Sequence, residues 1–178
     1  MKPLLTVDQA VEILRSTVPR LHELTDGATG EQLATVTGYG WSVSQQMAHL
    51  RSCQDILGGN MLRILREDHP SWKGRSPRSN QERYMELAFG ENLEAFIAQR
   101  TELIETLGIT PPGAWQRSAT VTDMVGRVFE YDVLYYADWM SRHERSHLGH
   151  IRRVLEELRV EERKQPFTRR RAPSPPRR

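Results

Sequence analysis

A chain of 178 residues, 38 % of them apolar, is long enough for one domain with its own core, and no run approaches the roughly 18 apolar residues that a membrane-spanning helix needs. The net charge of +2 is unevenly spread: from Glu161 onward there are seven Lys or Arg against two Glu, so the body is mildly acidic and the basicity belongs to a tail rather than to a nucleic-acid-binding fold. Cys53 is the only cysteine, which excludes an internal disulfide and a cysteine-rich zinc site; the N-terminus MKPLLTVDQAVEILR lacks a secretory apolar region with a cleavage site, which makes the cytoplasm the expected location.

Thr6-Val7-Asp8-Gln9 reads as a capping box, in which the Thr6 hydroxyl accepts from the third helical amide and Gln9 reaches back. Val7, Val11, Leu14, Val18 and Leu21 follow at helical spacing. Pro19 lies inside this stripe and, lacking an amide donor, is expected to kink or interrupt the first helix. Asp26-Gly27 and Thr29-Gly30 mark its exit, with a short helical turn around Glu31 to Ala34.

Gly38-Tyr39-Gly40-Trp41 is a loop, Ser42 an N-cap, and a second helix is expected from about Val43 to Arg66. Its apolar face includes Val43, Met47, Leu50, Leu57, Met61 and Ile64, and His49 borders it. Taken alone, His49 reads first as a partly buried histidine satisfied by hydrogen bonds and second as a metal ligand. Cys53, four residues on and on the same side, reads as a small core residue before it reads as a ligand.

Asp68-His69-Pro70-Ser71-Trp72 breaks the second helix, with His69 as a solvated loop residue. The polar stretch through Asn80 has the length of a crossover joining the second and third helices of a four-helix bundle. A third helix is expected from about Gln81 to Leu107, with Leu93, Phe96, Ile97, Ile104 and Leu107 inward. Arg100 breaks that stripe: its first reading is a snorkelling side chain at the core edge, its second a buried pairing partner or substrate anchor. Gly108 and Pro111-Pro112-Gly113 stop the helix, and the β-branched stretch from Trp115 to Phe129 reads as an extended or hairpin-like connection.

The fourth helix, from Glu130 or Tyr131 to Glu161, turns Tyr136, Met140, His143, His147, Ile151, Val154 and Leu158 inward and a charged face outward, the latter including Arg142, Glu144, Arg145, Arg152, Arg153, Glu156 and Glu157. Two histidines thus stand where this helix otherwise places apolar side chains. His143 and His147, four apart, sit one above the other and can grip one metal ion; His150 follows three residues later. Three imidazoles drawn from two helices would leave a coordination position for water or substrate. HERSH also satisfies the letters H-E-x-x-H, with Glu144 as the general base of a zinc protease, but no third ligand follows downstream in a protease-like pattern and no substrate-binding edge strand is suggested, so metal-dependent hydrolysis is the weaker reading. KQPFTRRRAPSPPRR, with four prolines, reads as disordered. The expected division is a bundle over residues 1–160 and a basic tail over 161–178, the only route to nucleic acid or an acidic partner.

With these residues in hand, the chain resembles the DinB-like family, also described as YfiT-like metal-dependent enzymes. The likeness runs over about residues 7 to 160: TVPRLHEL on the first helix, then WSVSQQMAHL, the EDHPSW loop, an arginine on helix three, AWQR, and the closing HERSHLGHI. It implies an all-α fold, a four-helix bundle of DinB/YfiT type with a long crossover between helices 2 and 3, often as a homodimer. It implies a metal triad of one histidine from the second helix and two from the fourth, which by position are His49, His143 and His147. The ion it implies is zinc or nickel. Characterised relatives include thiol-dependent S-transferases and an isomerase that use low-molecular-weight thiols such as mycothiol or bacillithiol against a small-molecule substrate, with the metal activating the thiolate. Where the family commonly has Gln two residues after HxxxHL, this chain has His150, a supporting group or an extra ligand. The alternative is a non-enzymatic, stress-related bundle or dimerisation module with structural histidines.

Overall fold

The computed structural model describes residues 4–164. Helix α1 spans Val7–Thr25 and a short α2 spans Gly30–Ala34; α3 is Val43–Cys53 and α4 Gly59–Arg66, joined without a break by a π turn over Gln54–Gly58. Strand β1 is Ser71–Lys73, α5 is Gln81–Met85 and α6 is Phe89–Gly108. After a 3-10 turn at Pro112–Gln116 come β2, Ser118–Thr122, and β3, Val128–Asp132; α7 then runs over Val133–Lys164. The long helices α1, α3–α4, α6 and α7 form the four-helix bundle. The stretch between α4 and α6 is the crossover, and it carries β1 and α5.

The capping box at Thr6 is present, with Thr6 N–H donating to Gln9 Oε1 at 2.9 Å, and Ser42 with Gln45 builds the same device at the start of α3. Pro19 does not interrupt α1, which continues to Thr25. Pro19 and Arg15 both lie on the exposed face, where water can serve the carbonyl that the proline nitrogen cannot. The second helix is continuous as expected but contains the π turn. The third helix is broken where the periodicity suggested none: Asn92 Nδ2 donates to the carbonyls of Tyr84 at 2.8 Å and Ala88 at 3.3 Å, taking up acceptors freed between α5 and α6. The fourth helix starts three residues later than Glu130, with Asp132 Oδ1 accepting from Tyr135 N at 2.6 Å, and passes the expected domain edge to reach Lys164. Most of the basic tail lies outside the described residues.

The connection after α6 is a β-hairpin, and it pairs antiparallel from Ser118 opposite Asp132 to Thr122 opposite Val128. Its turn closes through Asp123 Oδ1, which accepts from Val125 N and Arg127 N at 2.9 Å each, and Gly126 supplies the positive φ of 86°. The crossover strand β1, unannounced in the sequence, pairs parallel with β2 from Ser71 opposite Thr120 to Lys73 opposite Thr122. The fold is therefore predominantly helical, with a three-stranded sheet at one end. His69 is exposed, as expected of a loop residue, at φ 40° with Nε2 3.2 Å from Thr120 Oγ1.

The apolar interior falls into two clusters. One gathers Leu14, Met61, Ile64, Leu103 and Met140 near the sheet; the other gathers Leu21, Met47, Leu50, Phe96, Leu148 and Ile151. Between Leu14 and Leu21 on α1, Phe96 and Leu103 on α6, and Met140 and Leu148 on α7 stand four buried polar residues: Thr17, Gln54, Arg100 and Glu144. Arg100 is thus a buried pairing partner and not a snorkelling side chain, and Glu144 is not on the outer face. The guanidinium Nη1 donates to Leu14 O at 2.8 Å and Glu144 Oε2 at 3.0 Å, Nε donates to Gln54 Oε1 at 2.9 Å, and Nη2 reaches Glu144 Oε1. Thr17 Oγ1 donates to the same carboxylate at 2.7 Å. Every partner an unaccompanied buried charge would lack is supplied here. Among the described residues, no helix is long and apolar enough to cross a membrane.

Candidate metal centre

His49 projects from α3, and His143 and His147 from α7. Their Nε2 atoms converge: His49 to His143 is 3.2 Å and His147 to His143 is 3.1 Å, with ring centroids 4.4 to 5.0 Å apart. The structure brings together the three histidines singled out in the sequence. A tetrahedral ion with bonds of 2.0–2.1 Å to nitrogen holds its ligand atoms about 3.3 Å apart, close to these separations.

Two glutamines fix the ring orientation. His49 Nδ1 lies 3.0 Å from Gln81 Oε1, and His147 Nδ1 bonds Gln46 Oε1. A carboxamide oxygen only accepts, so both Nδ1 atoms carry the proton and both Nε2 atoms turn a lone pair inward. His143 can donate one proton from Nε2 and answer only one of them. Its Nδ1 is buried with no hydrogen-bond partner among the described residues. Among the described residues, the one further proton within reach is that of the Cys53 thiol, 3.5 Å from His49 Nε2, so three imidazole nitrogens and this sulfur form one donor set that suits a shared cation.

The surroundings hold the imidazoles neutral. Burial, then the neighbouring His143 and the charge of Arg78, pull His49 down to about 4, against its hydrogen bond to Gln81, which pushes the other way. Burial, then Arg78, lowers His143 to about 4, and burial together with His143, His49, His150 and Arg78 lowers His147 to about 3. Neutral imidazole is the form that ligates. Trp139 stacks on His143 with centroids 4.6 Å apart, and Trp41 meets His49 edge-on at 5.2 Å and lies over His147 at 6.3 Å. The Arg78 guanidinium covers the Trp41 ring at 5.4 Å.

Cys53 Sγ lies 3.5 Å from His49 Nε2, and His49, Cys53 and His143 offer ligand atoms that all fall within 4.8 Å of one another. Burial, then Glu144, pushes its thiol up to about 12, so it stands protonated beside the imidazoles. His150 is half-buried on the next turn of α7 and makes no hydrogen bond to the cluster. Sequence reasoning did not single out Gln46, Gln81, Trp41, Trp139 or Arg78. Helical spacing carried a signal for two of them: Gln46 stands three residues before His49, and Trp139 four before His143. Gln81 arrives from the crossover, which no spacing announces.

The family model of the DinB superfamily matches residues 13–151. Among curated proteins, none matches the chain. YfiT from Bacillus subtilis, described as "a probable metal-dependent hydrolase with an unusual four-helix bundle topology", superposes with a TM-score of 0.72 over 89 % of this chain and 93 % of its own, at 16 % identity. At that identity the likeness establishes the fold.

Proposed function

The chain belongs to the DinB superfamily, and from that premise we propose that it is a metal-dependent enzyme whose ion is held by His49, His143 and His147 and whose reaction uses a low-molecular-weight thiol. The observation that carries the reading is the convergence of three neutral imidazole Nε2 atoms, two of them with their tautomer set by Gln46 and Gln81. When bound, a divalent ion of the zinc or nickel kind supplies the positive charge that keeps a thiol as its thiolate at neutral pH.

The protein residues divide the remaining work. Gln46 and Gln81 orient two of the ligands. Trp41 and Trp139 cover the imidazoles and limit water. Arg78 favours an anionic ligand, as its charge already disfavours protonated imidazole. Cys53 is a thiol in the metal-free chain; with three imidazoles as the ligands, a direction would be left for the incoming thiol, for example mycothiol or bacillithiol.

Hydrolysis, in the sense in which Bacillus subtilis YfiT is described, is the second reading. Activating water at a metal ordinarily needs a base to take its proton. Glu144, which the H-E-x-x-H letters would cast in that role, is bonded to Arg100 and Thr17 instead. Among the described residues, no carboxylate bonds any of the three imidazoles, and transfer from a thiolate asks for none.

The test is elemental analysis of untagged protein purified without added metal, repeated on His147→Ala, followed by assays of thiol conjugation to electrophiles. The expected result is near-stoichiometric metal that the variant loses, with turnover that requires thiol. Protein that takes up neither zinc nor nickel overturns the reading in favour of a non-enzymatic bundle; metal with water-driven, thiol-independent turnover overturns it in favour of a hydrolase.

A further inference from the structure

Trp139 has a second role besides stacking on His143. It lines a cavity of about 350 Å³ between the sheet and the start of α7. Six aromatic side chains contribute to the walls: Trp72, Phe129, Tyr131, Tyr135, Tyr136 and Trp139. Phe129, Tyr131 and Tyr135 stack in series, with centroids 5.7 and 4.3 Å apart and planes within 11°, and Tyr136 stands edge-on to Tyr131 at 70°. Such walls offer flat π faces and ring edges, the two geometries in which aromatic groups attract one another.

Beside the rings the lining is mostly apolar, with Leu57, Val121 and Met124 among it. Of the two charged residues at its edge, Asp123 is paired with Arg127 at 2.7 Å and also accepts two backbone N–H groups, while Arg75 donates to Asn80 Oδ1 at 2.9 Å. A charged guest would give up hydration to an almost wholly aromatic and apolar lining, with the Arg75 guanidinium at the edge as the one cation among the described residues that line it. A cationic guest, which aromatic walls could otherwise hold, would also face the Arg75 guanidinium with the Asp123 carboxylate already taken. An engineered cavity of roughly 150 Å³ accommodates benzene, so this one has room for about two fused rings.

We propose that the cavity binds a neutral, planar aromatic molecule of two-ring size, and that this is the electrophilic substrate whose reacting atom is presented to the histidine centre past Trp139. As a binding site the cavity stands on its own lining; as a substrate pocket it rests on the metal-dependent reading above.

The experiment is calorimetric titration of the metal-loaded protein with 2-naphthol, with tetramethylammonium and naphthalene-2-sulfonate as charged comparisons. One 2-naphthol site is expected, with either ion at least tenfold weaker. Val121→Phe, which fills the cavity from β2, and Trp72→Ala, which removes a partly exposed wall, are each expected to weaken 2-naphthol at least tenfold; the second variant decides if the first does not fold. In cobalt-loaded protein, saturating 2-naphthol is expected to shift the visible spectrum through the Trp139–His143 stack. No heat with 2-naphthol in a protein that carries its metal overturns the cavity proposal and leaves the metal reading standing. Tighter binding of either ion overturns the neutral-guest assignment, and an unchanged cobalt spectrum at saturation overturns the substrate role. Binding of 2-naphthol by protein that takes up no zinc, nickel or cobalt upholds the aromatic site and overturns the metal reading.

Discussion

Arg100 Nη1 donates to Glu144 Oε2 at 3.0 Å across the bundle, although Glu144 follows His143 directly in the chain. Consecutive residues of a helix point about 100° apart. The imidazole therefore faces α3 and Trp139 while the carboxylate enters the layer of Thr17, Gln54 and Arg100. The protease-like letters HERSH are satisfied, but the carboxylate they would cast as a base is bonded to Arg100 and Thr17.

Removing one side of this pair should be costly. Arg100→Met leaves the carboxylate with Thr17 alone in a layer where both partners are almost wholly buried. The expected loss is about 3–5 kcal/mol, the usual consequence of an uncompensated buried charge. Arg100→Met combined with Glu144→Gln should recover a large part of it. Urea denaturation of the two single variants and the double variant measures both quantities.

The metal-free protein should lose stability in acid before its carboxylates titrate. Unfolded imidazoles take protons near the ordinary 6.5, whereas in the folded chain His49 and His143 do so at about 4 and His147 at about 3. Between these values the unfolded state binds more protons, so stability is fully present above about pH 6.5 and falls as pH drops toward 4. Each histidine contributes less than roughly 1.4 kcal/mol per pH unit, because solvent reaches the half-buried pair on α7. Urea midpoints of chelator-treated protein at about pH 7 and about pH 5 check the direction, and His147→Gln should flatten the profile.

Gln46 and Gln81 should matter to an ion that neither touches. Gln46→Leu and Gln81→Leu each leave an imidazole without the acceptor that fixes its tautomer. The expected result is a loss of metal affinity of about 10- to 100-fold in each variant, with helicity unchanged. Competition against a chelator of known affinity reads this directly.

Cys53 should be inert in the folded, metal-free chain. Its thiol is buried and raised from 9.0 to about 12, so three pH units separate it from an ordinary cysteine. The thiolate is the reactive form, and alkylation by iodoacetamide near neutral pH should be slower by about a thousandfold or more than in the urea-unfolded protein. Mass spectrometry of the time course decides it.

The parts legible in the sequence were those that follow helical periodicity. His143 and His147 could be placed one above the other because they share a helix, and the hairpin was foreshadowed by β-branched residues around Gly126. Glu144 reads as outward because the residues around it on α7 are largely charged, a pattern that cannot reveal an arginine waiting on another helix. Arg100 was ambiguous for the same reason: a lone cation on an apolar stripe becomes interpretable only with its partner. Gln81 and β1 depend on the path of the crossover, and their contacts join residues 32 and roughly 50 positions apart, beyond any local spacing rule.

The π turn at Gln54–Gly58 places one extra residue in the helix that carries His49 and Cys53 before it and Asn60 after it. Gly58 leaves room for it: a Cβ there would meet Gln54 Nε2 at 2.4 Å, and Gln54 cannot step aside while its Oε1 serves Arg100. One residue more or fewer turns everything downstream by about 100°. Deleting it would leave the imidazole half of the helix in register and swing Leu57 and Asn60 away from the aromatic cavity. Helix length at this point therefore sets what lies against the ring-lined space independently of the turn that carries His49.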